Sequence, residues 1–151
     1  MRSPWYGPLL GRLPHCCLLT RTSPALPADV AGGKTLVVIA HPARKVQLDL
    51  KDVARIYLKK RRSWDDGQPI VALNQAPGSP ARETFSQLAF GSESTRLGTY
   101  WNEQYFHGVL PPVALSSPAS VKRYVASDPN AIGYIELSYV DDSVRVAFQI
   151  E

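Results

Sequence analysis

The chain has 151 residues, 44% of them hydrophobic and 20% charged, which suits one soluble domain, or one lobe plus a tail, and excludes wholesale disorder. Its longest clean apolar run, Leu36–Ala40, is too short to cross a bilayer, so no membrane insertion is expected. The net charge of +4 is concentrated at the start: residues 1–34 hold Arg2, Arg12, Arg21 and Lys34 against Asp29, leaving 13 Lys/Arg against 12 Asp/Glu in the other 117 residues. A near-neutral body offers no electrostatic basis for binding nucleic acid.

Residues 1–34 contain five of the 13 prolines, four glycines and no apolar period. An export signal needs a basic start, an apolar stretch and a small-residue cleavage site. Gly11, Arg12, Pro14 and His15 break that stretch, so the segment reads as a disordered leader or a poor signal-like segment. Cys16 and Cys17 are adjacent and are the chain's two cysteines, which excludes a disulfide framework or a Cys-based zinc site. The domain is expected at residues 35–151.

Residues 35–40 form a short, doubly apolar run, as in a buried strand, ended by His41 and Pro42. Asp49 caps a predicted helix to about residue 60, with Leu50, Val53, Ile56 and Tyr57 on one face and cations at its end. Asp65, Asp66 and Gly67 make a turn, and residues 69–74 read as a second strand. Ser79 and Pro80 suit the cap and first position of a helix burying Phe85, Leu88 and Ala89. Another helix follows from about Ser94, with Leu97, Trp101 and Tyr105 at steps of four, until Pro111 and Pro112 break it. Ser117 and Pro118 start a third capped helix, with Val121, Tyr124 and Val125 inward. Residues 132–139 and 143–150 read as a closing antiparallel strand pair turning at Asp141 and Asp142. Alternating strands and helices predict an α/β fold, a mixed β-sheet flanked by helices.

The most informative turn runs from Asn74 through Gln75, Gly78 and Ser79 to Arg82. A strand leading through Gly-Ser into a helix aims backbone N–H groups and a positive dipole end at one spot. Ser79 adds a hydroxyl and Arg82 a charge, as an anion site needs; the same residues also serve a plain helix cap beside a solvated arginine. Lys59, Lys60, Arg61 and Arg62, with Arg55 and Trp64, fit a nucleic-acid patch on one reading and a dipole-matched helix end on the other. Catalytic chemistry finds little support. His15, His41 and His107 sit in unrelated contexts, and Ser79 lacks the Gly-x-Ser-x-Gly elbow. No catalytic residue, metal ligand or cofactor is expected.

Taken in order, Val37 to Pro42, Ile56 to Lys60 with Trp64, Asp66 to Ile70, Gly78 to Arg82 with Phe85, Trp101, and Ala131 to Tyr134 resemble the phosphate-binding-protein family. These are the periplasmic solute-binding components of phosphate ABC transporters, and the resemblance covers residues 35–137. It implies one lobe of a type II periplasmic binding protein, because the family grips phosphate between two α/β lobes and this chain resembles mainly the second. It further implies a non-enzymatic periplasmic protein whose ligand is phosphate or a similar oxyanion and whose partner is a membrane transporter or sensor. Surface left uncovered by the missing lobe implies a homodimer or a protein-interaction module as the alternative.

The family's phosphate segment reads Gly-Ser-Gly-Thr, often followed by Arg, with another Arg four positions before the Ser in some members. The resemblance therefore assigns the anion site to Gly78, Ser79, Ala81 and Arg82. Pro80 removes an amide donor, Ala81 lacks the threonine hydroxyl, and Gln75 stands uncharged where the earlier Arg would be. With that reduced set, affinity is expected at roughly millimolar or weaker, about −4 kcal/mol.

Overall fold

A computed structural model describes residues 34–150. The expected leader, Lys34 apart, lies outside the described residues. Strand β1 (Leu36–Ala40) is buried end to end, as its unbroken apolar run requires. Helix α1 (Leu50–Tyr57) begins where the Asp49 carboxylate accepts the Asp52 N–H at 2.7 Å. It turns Val53, Ile56 and Tyr57 inward, while Leu50, in the first turn, stays exposed. The helix stops three residues before the expected end. Lys59 adopts a left-handed φ of 58°, and the N–H groups of Lys60 and Arg61 both fold back onto the Arg55 carbonyl.

Then come β2 (Val71–Gln75), α2 (Pro80–Phe90) and, after a 3-10 turn at Ser94–Arg96, α3 (Leu97–Phe106). Strand β3 (Val113–Leu115), helix α4 (Pro118–Ser127), strand β4 (Ala131–Glu136), a second 3-10 turn at Leu137–Tyr139 and strand β5 (Arg145–Ile150) complete the order. Among the described residues these make one five-stranded mixed sheet, in the order β3-β2-β4-β1-β5, with four α-helices.

The expected antiparallel pair at the end does not form. Strands β4 and β5 each pair antiparallel with β1, which lies between them: Leu36 faces Glu136 on one side and Ile150 on the other. The reason is β1 itself. A strand apolar on both faces belongs in the sheet interior, and taking a strand on each edge satisfies its backbone there. The chain therefore crosses over at Asp141, whose carboxylate binds Lys122 and Ser143. The sequence alternates Val144, Val146, Phe148 and Ile150, as for one buried face, but the register slips between Val38 and Ile39 and leaves Ala147 as an extra residue. Val146 is consequently exposed.

Each face of the sheet carries its own core. On one face α1 and α2 pack Val53, Ile56, Tyr57 and Phe85 against Val38, Ala72, Ile132 and Tyr134. On the other, α4 lays Val121 and Val125 on Val37, Ile39, Leu73 and Ile135. Gly133 makes this second contact close, since a Cβ there would sit 2.4 Å from Val121 Cγ1. Leu88 and Tyr124, expected inside, lie exposed, because each helix meets the sheet along a narrow stripe and, among the described residues, no further layer covers the flank. Helix α3 buries none of its residues, and Tyr105, spaced at steps of four with Leu97 and Trp101, is 65% exposed.

Candidate functional site

The turn from β2 into α2 is built by local chemistry. Gly78 supplies a φ of 79°, which glycine adopts without strain. The Ser79 N–H then closes onto the Ala76 carbonyl at 3.1 Å, and Ser79 Oγ accepts the Arg82 N–H at 3.3 Å. Pro80 starts the helix with its fixed φ and brings no N–H. Arg82 folds back over the turn and donates Nη1–H to the Gln75 carbonyl at 3.0 Å, while its buried Nε finds no acceptor among the described residues. Gly78, Ser79, Ala81 and Arg82 thus come together around the carboxyl end of β2. The Arg82 amide is occupied by the cap, so the free donors are the Ala81 N–H, the Ser79 hydroxyl proton and the rest of the guanidinium.

Behind this turn lies a buried polar knot. Gln75 is 2% exposed; its N–H meets Tyr134 Oη at 3.2 Å and Asn74 Oδ1 at 3.1 Å, and its Nε2 donates to the Tyr134 carbonyl at 3.1 Å. The Tyr134 hydroxyl donates to Asn74 Oδ1. Its ring stacks on Phe85 with centroids 3.9 Å apart, and Tyr57 tilts against both while donating its hydroxyl to the Leu73 carbonyl at 3.0 Å. Burial pushes Tyr134 up to about 12, against the Gln75 N–H and the Arg82 charge, which pull it down. Burial, with the neighbouring Tyr134, raises Tyr57 well above the ordinary phenol value. Asn74, Arg82, Ser86, Ser94 and Trp101 line a cleft of ≈ 20 Å³ between α2 and α3, room for about one water molecule.

Strand β3, which the sequence pattern does not reveal, completes the geometry. It runs parallel to β2 with Leu115 opposite Gln75, and two residues later Ser117 caps α4 by accepting the Ser120 N–H at 3.2 Å. The neighbouring parallel strands β2 and β3 therefore send their helices to opposite faces of the sheet. In open α/β sheets such a reversal leaves a crevice beyond the carboxyl ends of the strands, the usual place for a ligand. The helices that follow these two strands both start with a serine cap and carry proline in the first turn.

Other candidates are tied up structurally. Trp64 is 3% exposed, lies under the Arg44 guanidinium at 4.8 Å, and donates Nε1–H to the Asn130 carbonyl at 3.2 Å. No face remains for a nucleic-acid base. Arg61 is bound to Asp52 and Asp65, and His41 Nδ1 accepts the Ala43 N–H. Tyr134 and Ser117 belong to the candidate site but were not singled out as such from the sequence, and Asn74 was named there only as the start of the turn. The repeated Ser-Pro helix start at Ser79 and Ser117 was the available signal for Ser117; the contact of Tyr134 with Asn74, 60 residues away, had none.

No protein-family model matches the sequence. Among solved structures, the fold is similar to that of a phosphate ABC transporter substrate-binding protein with bound phosphate from Clostridium perfringens. The two are 28% identical with a TM-score of 0.62, over 74% of this chain and 43% of that one. An ABC-type phosphate transport receptor from Vibrio cholerae matches at 21% identity and a TM-score of 0.60, over 74% of this chain and 44% of the other. PstS from Borrelia burgdorferi follows at 19% and 0.55, over 72% and 43%. The chain spans less than half the length of these proteins. Its fold is that of a fragment of the phosphate-transport binding proteins.

Proposed function

We propose that residues 35–151 form a single-lobe, non-enzymatic solute-binding domain that holds phosphate or a similar oxyanion weakly in the crevice at the carboxyl ends of β2 and β3. The observation that carries this reading is the convergence of Gly78, Ser79, Ala81 and Arg82 at a helix N-terminus, beside a second capped N-terminus at Ser117. The phosphate-bound Clostridium perfringens protein, 28% identical, supports the ligand class. The domain works in the periplasm and presents its ligand to a membrane transporter or sensor.

Weakness follows from donor counting. An oxyanion surrenders its hydration only to many well-aimed donors. Here Pro80 has no N–H, the Arg82 N–H caps Ser79, one guanidinium N–H serves the Gln75 carbonyl, and the Gln75 side chain serves Tyr134. Titrating the full chain with inorganic phosphate, followed by amide NMR, should shift the Ala81 and Arg82 signals with a dissociation constant of roughly millimolar. Arg82→Gln should weaken that constant about tenfold, the scale of one charge-assisted hydrogen bond. Phosphate shifts confined to residues remote from Gly78 to Arg82, or unchanged by Arg82→Gln, would defeat the assignment.

A further inference from the structure

Helix α3 is joined to the rest of the fold by few contacts. None of its residues is buried, and Leu97, Tyr100, Trp101 and Gln104 form its half-buried side. Among the described residues, two side-chain tethers hold α3 and the turn before it. Both carboxylate oxygens of Glu83, on α2, accept from Ser94: one takes its N–H at 3.3 Å and the other its hydroxyl. The Tyr100 hydroxyl donates to the Leu58 carbonyl at 2.7 Å. Glycines in left-handed backbone bracket the segment, Gly91 with a φ of 63° and Gly108 with a φ of 74°. A segment with so little buried apolar contact opens locally while the sheet stays intact. Once detached, a helix of 10 residues is marginal in water and melts.

The cleft that α3 covers is rich in donors. Arg82 spends Nη1–H on the Gln75 carbonyl, which leaves its Nε–Nη2 edge, the side of a guanidinium that grips an oxyanion through two parallel bonds. The Nε on that edge is buried and has no acceptor among the described residues. Asn74 Oδ1 already accepts from Tyr134 and Gln75, so that side chain has its NH₂ left to give. Ser86, 3% exposed, adds a hydroxyl to the same cleft. Glu83, the adjacent carboxylate, is engaged with Ser94. Donors gathered around a cation, with the nearby carboxylate held elsewhere, select an oxyanion. Yet ≈ 20 Å³ admits about one water molecule and no phosphate.

We propose that α3 is a strap hinged at Gly91 and Gly108, and that an oxyanion takes the Nε–Nη2 edge of Arg82 by holding this strap open. The proposal rests on the anion reading above and adds a regulating element to it. Only molecules with α3 displaced present the whole edge, so the closed strap weakens the apparent affinity in proportion to the fraction it keeps shut.

Hydrogen exchange of the full chain, read by amide NMR with and without inorganic phosphate, tests this. Without phosphate, the amides of residues 101–106 should exchange together and faster than those of α4 and β4. Saturating phosphate should quicken them further, the reverse of the protection given by a ligand clamped beneath a closed helix. Tyr100→Phe removes one tether and no charge. It should speed exchange in α3 about fivefold and leave β4 unchanged. It should also tighten the phosphate dissociation constant read at Ala81 and Arg82 by the same factor, because both measurements report one opening. Phosphate that slows the α3 amides or leaves them as they were overturns the strap, as does a Tyr100→Phe chain whose β4 amides quicken as much as those of α3. In either case phosphate shifts at Ala81 and Arg82 would leave the anion site standing. Absence of those shifts defeats the anion site and the strap together.

Discussion

The Tyr134 hydroxyl gives its proton to Asn74 and receives the Gln75 N–H, while the ring stacks on Phe85 of α2. One side chain thereby couples the end of β2 to the helix that carries Ser79 and Arg82. Gln75 extends the coupling, since its carbonyl anchors the Arg82 guanidinium and its side chain anchors the Tyr134 carbonyl. Removing the hydroxyl by Tyr134→Phe keeps the ring stack but leaves Asn74 Oδ1 without its phenol donor and the Gln75 N–H with a single partner. Denaturant titration should show a loss of about 0.5–1.5 kcal/mol, the net worth of a hydrogen bond whose partners keep each other, since the Gln75 N–H still donates to Asn74 Oδ1. An unchanged midpoint would mean that water replaces the hydroxyl fully and that the knot carries no stability of its own. Gly78, Ser79 and Arg82 were legible in the sequence because a Gly-Ser-Pro helix start is local chemistry, contained within a few residues. The Tyr134–Asn74–Gln75 knot was not, because its partners meet only after β4 takes its place beside β2.

Helix α4 rests on β4 through Gly133, where any side chain meets Val121 at 2.4 Å and Val125 at 3.3 Å. Val121 and Val125 are both fully buried, and a β-branched side chain has few rotamers with which to yield. Gly133→Ala should therefore lift α4 from the sheet and lower stability by about 1–3 kcal/mol, the range for an overpacked core, read as a shift in the thermal midpoint. A neutral result would show that α4 slides without loss. Helices α1, α2 and α4 were legible because each begins with a capping residue: Asp49, Ser79 and Ser117 accept the backbone N–H groups that the pattern predicts. Strand order was not, because pairing is non-local. Residues 132–139 and 143–150 look like neighbours in a hairpin until β1, apolar on both faces, takes the place between them. Strand β3 was missed for a different reason: three residues after two prolines show no readable period.

At the scale of the whole molecule, the sheet divides the described residues into two unlike halves, and their pH dependence should reflect it. The α1–α2 face buries two phenols, Tyr57 and Tyr134, whereas the α4 face is aliphatic. A phenol whose folded value is raised contributes stability that is fully present below its unfolded value and disappears as pH rises toward the folded one. For Tyr134 that window runs from about 10 to about 12, and desolvation by burial is its main cause. Across it the unfolded chain sheds a proton that the folded chain keeps, so unfolding gains about 2–3 kcal/mol from this group. Tyr57, raised well above the same starting value, acts in the same direction. Thermal midpoints should accordingly fall steeply over this window, and the ring NMR signals of Tyr134 and Tyr57 should take on phenolate shifts only together with unfolding, whatever the exposed tyrosines such as Tyr105 add to the bulk absorbance. In Tyr134→Phe the fall should be shallower, because Tyr57 alone remains of the pair. A Tyr134 or Tyr57 ring signal that turns to phenolate while the fold stays intact would show that water reaches these rings, and that the polar knot behind the Ser79 turn is open to solvent.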